Sequence, residues 1–188
     1  MNAAHGSQAR RQSLRLRNYD YSRAGAYFIT VCTHGRELLF GDVIDSEMEL
    51  NELGRIAAQE WLKSARLRDE IALDAWVVMP NHVHGIVLIT DDRGSGAMPA
   101  PIAPTGPRPR SLGALMAGFK SAATKRINAQ RSTPGASVWQ RNFYERVIRN
   151  EPALNRIRQY VTDNPAKWWE DPENPAVAAG TPRTHLPL

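Results

Sequence analysis

Four residues carry types and spacings suited to chemistry: the histidines of His82-Val83-His84, and Tyr160 with Asn164 four positions on. The histidines open an apolar run, HVHGIVLI. In a strand alternate side chains share a face, so both imidazoles point one way and Val83 the other. Two imidazoles so placed, joined by oxygen ligands, suit a divalent ion such as Mn²⁺ or Mg²⁺, which polarises a phosphate. Taken alone, the pair fits two hydrogen-bonding edge histidines at least as well.

In a helix Tyr160 and Asn164 share a face. A phenol beside an apolar stripe can attack phosphorus, with Asn164 offering an oxygen to the same ion. A phenol with a pKa of about 10 needs help; a metal-held phosphate is a better electrophile, and nearby cations favour the phenolate. A boundary tyrosine packed on a sheet fits the same spacing. Tyr144 is a second candidate nucleophile, and nearby Arg141 suits a phosphate.

The elements that must position these residues follow from pattern. AYFITVCT, residues 26–33, is aromatic and β-branched and predicts a strand. Residues 34–50 read as turns and short extended pieces around Gly41. Asn51 precedes a helical spacing of Leu53, Ile56, Ala57, Trp61 and Leu62. Residues 69–79 and 82–89 predict two antiparallel strands joined tightly through Pro80 and Asn81. Residues 91–110, with five prolines, predict a long loop.

Ser111 caps a second helix whose buried stripe is Leu112, Leu115, Met116, Phe119, Ala123 and Ile127. Residues 142–149 predict a short strand. Asn150 caps a last helix in which Leu154, Ile157 and Val161 face the core, and Pro165 ends it. The order predicts an α+β chain: a ferredoxin-like βαββαβ antiparallel sheet with helices on one face, plus a C-terminal helix carrying the tyrosine. The domain division is a basic arm over 1–20, one domain over 21–170, and a flexible tail over 171–188.

Charge points to an anionic partner. Lys plus Arg number 24 against 19 acids, a net charge of +5. The stretch from Arg108 to Arg131 holds Arg108, Arg110, Lys120, Lys125, Arg126 and Arg131 and no acid, and the N-terminal arm holds Arg10, Arg11, Arg15 and Arg17. Such runs suit phosphate contacts, and also suit a solvated face. One cysteine, Cys32, excludes an intrachain disulfide and a cysteine-built zinc site; it reads as a small core residue in a reducing cytosol. No secretory h-region and no 18-residue apolar run is present, so no membrane is expected.

Three blocks together resemble the IS200-like tyrosine transposases, in particular the branch associated with repetitive extragenic palindromes (REPs). They are AYFITVCTHGRELLF at 26–40, WVVMPNHVHGIVLI at 76–89 and VWQRNFYERVIRNEPALNRIRQYVTDNP at 138–165. The resemblance spans residues 15–170. It implies that His82 and His84 bind a divalent metal, Mg²⁺ or Mn²⁺, with Asn164 as third ligand. It implies that Tyr160, in a Tyr-Val-x-x-Asn-Pro motif, is the catalytic residue.

It further implies cleavage of hairpin-bearing single-stranded DNA through a 5′-phosphotyrosine link, in the cytoplasm at the nucleoid, by a monomer or a homodimer. Arg15, Arg17, Arg108, Arg110, Lys120, Lys125, Arg126 and Arg141 are then the DNA contacts. The proline-rich 91–110 loop and Gly85, where relatives carry a larger apolar residue, depart from the pattern. A non-cleaving hairpin binder and an RNA-binding module of the same fold are the alternatives; the latter stacks bases on sheet aromatics, where this chain carries histidines.

Overall fold

The computed structural model describes residues 20–90 and 109–178. Its main sheet has four antiparallel strands: β1 (Gly25–Cys32), β4 (Ile71–Met79), β5 (His82–Ile89) and β6 (Tyr144–Ile148), in spatial order β4-β5-β1-β6. Helix α1 (Glu52–Arg66) links β1 to β4, and α2 (Leu112–Gln130) lies between β5 and β6. Helix α3 (Glu151–Asp163) follows β6. For the main sheet and the helices between its strands, the strand-helix-strand-strand-helix-strand order read from periodicity is the order observed.

Period-two alternation divides the sheet into two faces. On one, Tyr27, Ile29 and Val31 of β1 and Val83 and Val87 of β5 pack with Trp61 of α1 and Phe119 of α2. On the other, Phe28, Ile86 and Ile148 pack against Val161, with Leu154 and Ile157 of α3 beside them. Thus α1 and α2 share a face and α3 covers the opposite one. Each buried aliphatic or aromatic side chain contributes about 1.5–3 kcal/mol relative to exposure. All six residues of the expected α2 stripe are buried.

The three helices begin on side-chain caps. Asn51, Ser111 and Asn150 accept from the backbone N–H of Gly54, Ala114 and Ala153 at 2.9, 3.2 and 2.9 Å, each cap contributing about 1 kcal/mol.

Strand β4 bulges between Leu73 and Trp76, so that three steps on β4 face two on β5. The bulge leaves two successive residues on the α3 side: Ala75 packs beside the Phe28–Ile86 cluster, and the Asp74 carboxylate binds Arg158 Nη2 at 2.6 Å and Nε at 2.9 Å. Gly85 of β5 lies under the Trp61 ring, where a Cβ would come within 2.7 Å of the indole; this close approach accounts for glycine at that position.

One feature sharpens the sequence reading and one departs from it. Residues 34–50 contain a two-stranded hairpin, β2 (Gly41–Ile44) and β3 (Glu47–Leu50), turning on Asp45 and Ser46 at φ 49° and 67°. The tail expected to be loose from Asp171 instead begins docked. Asp171 and Asn174 are buried, and a four-residue helix, α4 (Pro175–Ala178), follows. The N-terminal arm with Arg15 and Arg17, most of the proline-rich loop with Arg108, and residues 179–188 lie outside the described residues.

Candidate active site

The hairpin joining β4 to β5 has only Pro80 and Asn81 between the paired residues Met79 and His82. His82 therefore begins β5, and period two places His84 on the same face, beneath α3. Cys32 and Thr30 of β1 lie opposite His82 and His84 in register. The imidazole centroids are 4.3 Å apart, and both rings are buried.

The hydrogen-bond network sets the His82 tautomer. His82 Nδ1 donates to Asn81 Oδ1 at 2.8 Å. His84 Nδ1 lies 2.8 Å from Thr30 Oγ1, and the His84 ring also interacts with the Ile29 backbone. His82 Nε2 is left with its lone pair, buried and without a hydrogen-bond partner among the described residues. His84 Nε2 lies 3.3 Å from the Tyr160 hydroxyl.

Asn164, the residue that closes α3, is also buried. Its Nδ2 donates to Asp171 Oδ2 at 3.1 Å, and its Oδ1 has no partner among the described residues. The Asn164 side chain influences both His82 and Tyr160. Asp171 Oδ2 is 3.9 Å from His82 Nε2. His82, His84 and Asp171 offer ligand atoms all within 4.8 Å of one another.

Burial governs the electrostatics. It pushes both histidines down to about 3, for His82 against a partial offset from Asn164 and for His84 reinforced by His82. Both imidazoles are thus neutral near pH 7, the form that binds metal. Burial, aided by the Asp171 and Glu173 carboxylates, pushes the Tyr160 phenol up to about 12.

Nitrogen and oxygen atoms that are buried, lack partners and lie close together fit a divalent cation: the cation would satisfy them where an empty apolar site would leave their desolvation uncompensated. Asp171 was missed in the sequence because it lies in the proline-rich DPENP stretch. Its one signal is the pair Trp168-Trp169 just before it: Trp168 is buried, with its ring 6.0 Å from that of His82.

Tyr144 and Tyr160 are both partly exposed, and both meet Phe28 edge-on, at 6.3 and 5.9 Å. It is the Tyr160 hydroxyl that reaches a histidine. The basic residues divide. Lys120 is turned inward, donating to the carbonyls of Gln140 and Asn142 at 2.8 and 2.9 Å, and burial pushes it down to about 8. Arg126 is bound to Glu60 at 2.7 Å and to Gln59 at 2.8 Å. Arg110 lies 3.9 Å from Glu70.

Lys125 and Arg141 are exposed and line an open groove of about 820 Å³ between α2 and the 132–141 segment. The α3 helix covers Phe28, so this ring is not open for stacking as the sheet aromatics of an RNA-recognition module are. Among the described residues no helix is long and apolar enough to cross a membrane.

No family model matches the chain. The REP-associated tyrosine transposase bound to a REP hairpin superposes with a TM-score of 0.56 at 21% identity, covering 82% of this chain and 73% of that one. The likeness is one of fold. A Deinococcus radiodurans protein superposes more distantly, with a TM-score of 0.42 at 17% identity over 79% of this chain and 95% of its own. An uncharacterised protein of Haemophilus influenzae is 35% identical over 166 residues, 86% of this chain and 91% of that protein. Identity at that level across nearly both full lengths makes this chain a member of the same family as the Haemophilus influenzae protein.

Proposed function

We propose that the chain is a metal-dependent, single-stranded DNA endonuclease and strand transferase of the tyrosine-transposase kind, with a ferredoxin-like sheet as its scaffold. The observation that carries this reading is a convergence. Tyr160 Oη lies 3.3 Å from His84 Nε2, and the unpartnered His82 Nε2 and Asn164 Oδ1 belong to the same buried cluster. The fold it shares with a transposase bound to a REP hairpin supports DNA hairpins as the substrate class. Arg15, Arg17, Arg108, Lys125 and Arg141 are proposed phosphate contacts, acting on chromosomal DNA in the cytoplasm.

His82, His84 and Asn164 would hold the ion. Bound there, Mn²⁺ or Mg²⁺ would draw charge from a phosphate oxygen and offset the acidic groups that raise the Tyr160 phenol. The chain supplies the rest. Phe28 and the α3 stripe exclude water from one side of Tyr160, while the tyrosine itself is 41% exposed and so open to incoming DNA. His84 has a single Nε2 lone pair, so the Tyr160 hydroxyl holds it only while no cation does; otherwise the hydroxyl is free to face a phosphate.

Tyr160 Oη then forms a bond to phosphorus as the bond to the 3′ oxygen breaks. The phenolic proton ends on that departing oxygen. The products are a 5′-phosphotyrosine and a 3′-OH, with no water consumed and no ATP required.

The test is a gel assay with end-labelled hairpin single-stranded DNA and Mn²⁺. The parent should form a covalent adduct, which Tyr160→Phe should abolish and Tyr144→Phe should keep. An adduct in Tyr160→Phe, or peptide mapping to position 144, overturns the assignment. Cleavage without any adduct would mean that water attacks.

A further inference from the structure

An asparagine side chain has an oxygen at one end and an NH₂ at the other. Whatever holds one end decides what the other end offers. Two asparagines at this site are held in that way, and the short segment 171–173 supplies a holding group for each.

The Asp171 carboxylate can only accept. Its Oδ1 takes the Glu173 backbone N–H at 2.6 Å, and its Oδ2 takes Asn164 Nδ2 at 3.1 Å. The Asn164 amide is thereby fixed with its oxygen turned away from Asp171, buried and unpartnered. Asn81 is fixed similarly. Its Nδ2 donates to the carbonyls of Glu173 and Arg36 at 2.7 and 3.3 Å, so its oxygen must receive His82 Nδ1–H at 2.8 Å. His82 is then left with a lone pair on Nε2, which is also buried and unpartnered.

The segment is itself tied down. Arg36 binds the Pro172 carbonyl at 3.0 Å and the Glu173 carboxylate at 2.9 Å.

We propose that Asp171–Glu173 is a positioning element of the metal site. Asp171 acts through Asn164, and the Glu173 carbonyl acts through Asn81 on His82, so that both ligand lone pairs face one cation. The inference rests on the metal-binding reading above. Asp171 is a positioning residue here and not a ligand.

The experiment is Mn²⁺ titration of the full chain by calorimetry, for the parent, Asp171→Asn, and the exchange Asn164→Asp with Asp171→Asn. In the single variant one amide must meet both the Glu173 N–H and the Asn164 NH₂. It cannot offer oxygen to both, so one amide turns over and the oxygen facing the cation is lost. Mn²⁺ affinity should fall about 10–100-fold, as for other groups that orient ligands.

The exchange restores every donor–acceptor match: the new amide at 171 accepts from Glu173 and donates to the new carboxylate at 164. It should recover most of the lost affinity, and the recovery also shows that position 171 tolerates the amide. Parent-like affinity in Asp171→Asn overturns the proposal. So does an exchange variant as weak as the single one, which would make the Asp171 carboxylate itself the ligand.

Nitrogen NMR of His82 in metal-free protein reads the other arm. Protonation at Nδ1 is expected, and protonation at Nε2 overturns the proposal. A parent that binds no Mn²⁺ at all, with His82 protonated at Nδ1, overturns the metal reading itself and the inference with it.

Discussion

Replacing Gly85 by alanine places a methyl group 2.7 Å from Trp61 Cζ2 and 3.4 Å from Cε2. Ordinary carbon contacts lie at about 3.5–4.0 Å, so the overlap is close to 1 Å. The neighbour is a rigid ring, not the flexible end of a side chain. Trp61 is fully buried and stands edge-on to Phe119 at 5.1 Å, so it cannot retreat without pushing α2.

Overpacking of this kind costs about 1–3 kcal/mol. For a chain of this length each kcal/mol lowers the midpoint by about 2–4 °C, so a fall of about 2–12 °C is expected. Thermal and urea unfolding of Gly85→Ala, Trp61→Phe and the double variant measure it. Trp61→Phe removes the offending edge of the ring and a buried indole N–H that has no partner among the described residues. The double variant should therefore be more stable than the sum of the single losses. Additivity within about 0.5 kcal/mol, or a Gly85→Ala protein as stable as its parent, would refute the reasoning.

Acid should weaken the fold through the histidine pair. Both are held neutral down to about 3 when folded but protonate near 6.5 when unfolded, so the unfolded state gains protons that the folded state refuses. Stability is then complete above about pH 6.5 and declines as pH falls toward 3, by up to about 1.4 kcal/mol per pH unit for each histidine. Urea midpoints from pH 7 to 5 should show that slope, and His82→Gln with His84→Gln should flatten it; equal slopes would mean that the imidazoles are not held neutral. Affinity for single-stranded DNA should fall with salt, and neutralising Lys125 and Arg141 together should reduce the log–log slope by roughly 1–1.5. Neutralising Lys120 and Arg126 should cost stability instead, because both are engaged within the fold. A slope unchanged by the first pair would show that those charges meet solvent only.

The features read most easily from the sequence were those set by short-range periodicity. The alternation of HVHGIVLI put His82 and His84 on one face without tertiary knowledge, and the caps Asn51, Ser111 and Asn150 marked helix starts because each side-chain oxygen meets a nearby N–H. What escaped depended on contacts distant in sequence. The proline-rich composition after Asn164 hid a segment that returns to β5, since its hydrogen bonds run to Arg36 and Asn81. Charge counting could not tell that Lys120 serves main-chain carbonyls while Lys125 faces solvent. The short extended pieces around Gly41 are β2 and β3, but their pairing was not legible because the turn uses Asp45-Ser46 at positive φ in place of a glycine.

Edge strands usually tolerate inserted or deleted residues, but β4 should not. Its bulge fits both Asp74 and Ala75 onto the α3 side, where Asp74 binds Arg158, and Arg158 lies two residues before Tyr160, about 3 Å along the helix. Removing Asp74 would restore a regular pleat and leave Ala75 alone between Leu73 and Trp76 on the α3 side. The helix bearing the proposed nucleophile would lose its mooring although no residue near the histidines had changed. Length variation among relatives should therefore collect in the hairpins and in the 91–110 stretch, and the count of residues from 71 to 79 should hold constant.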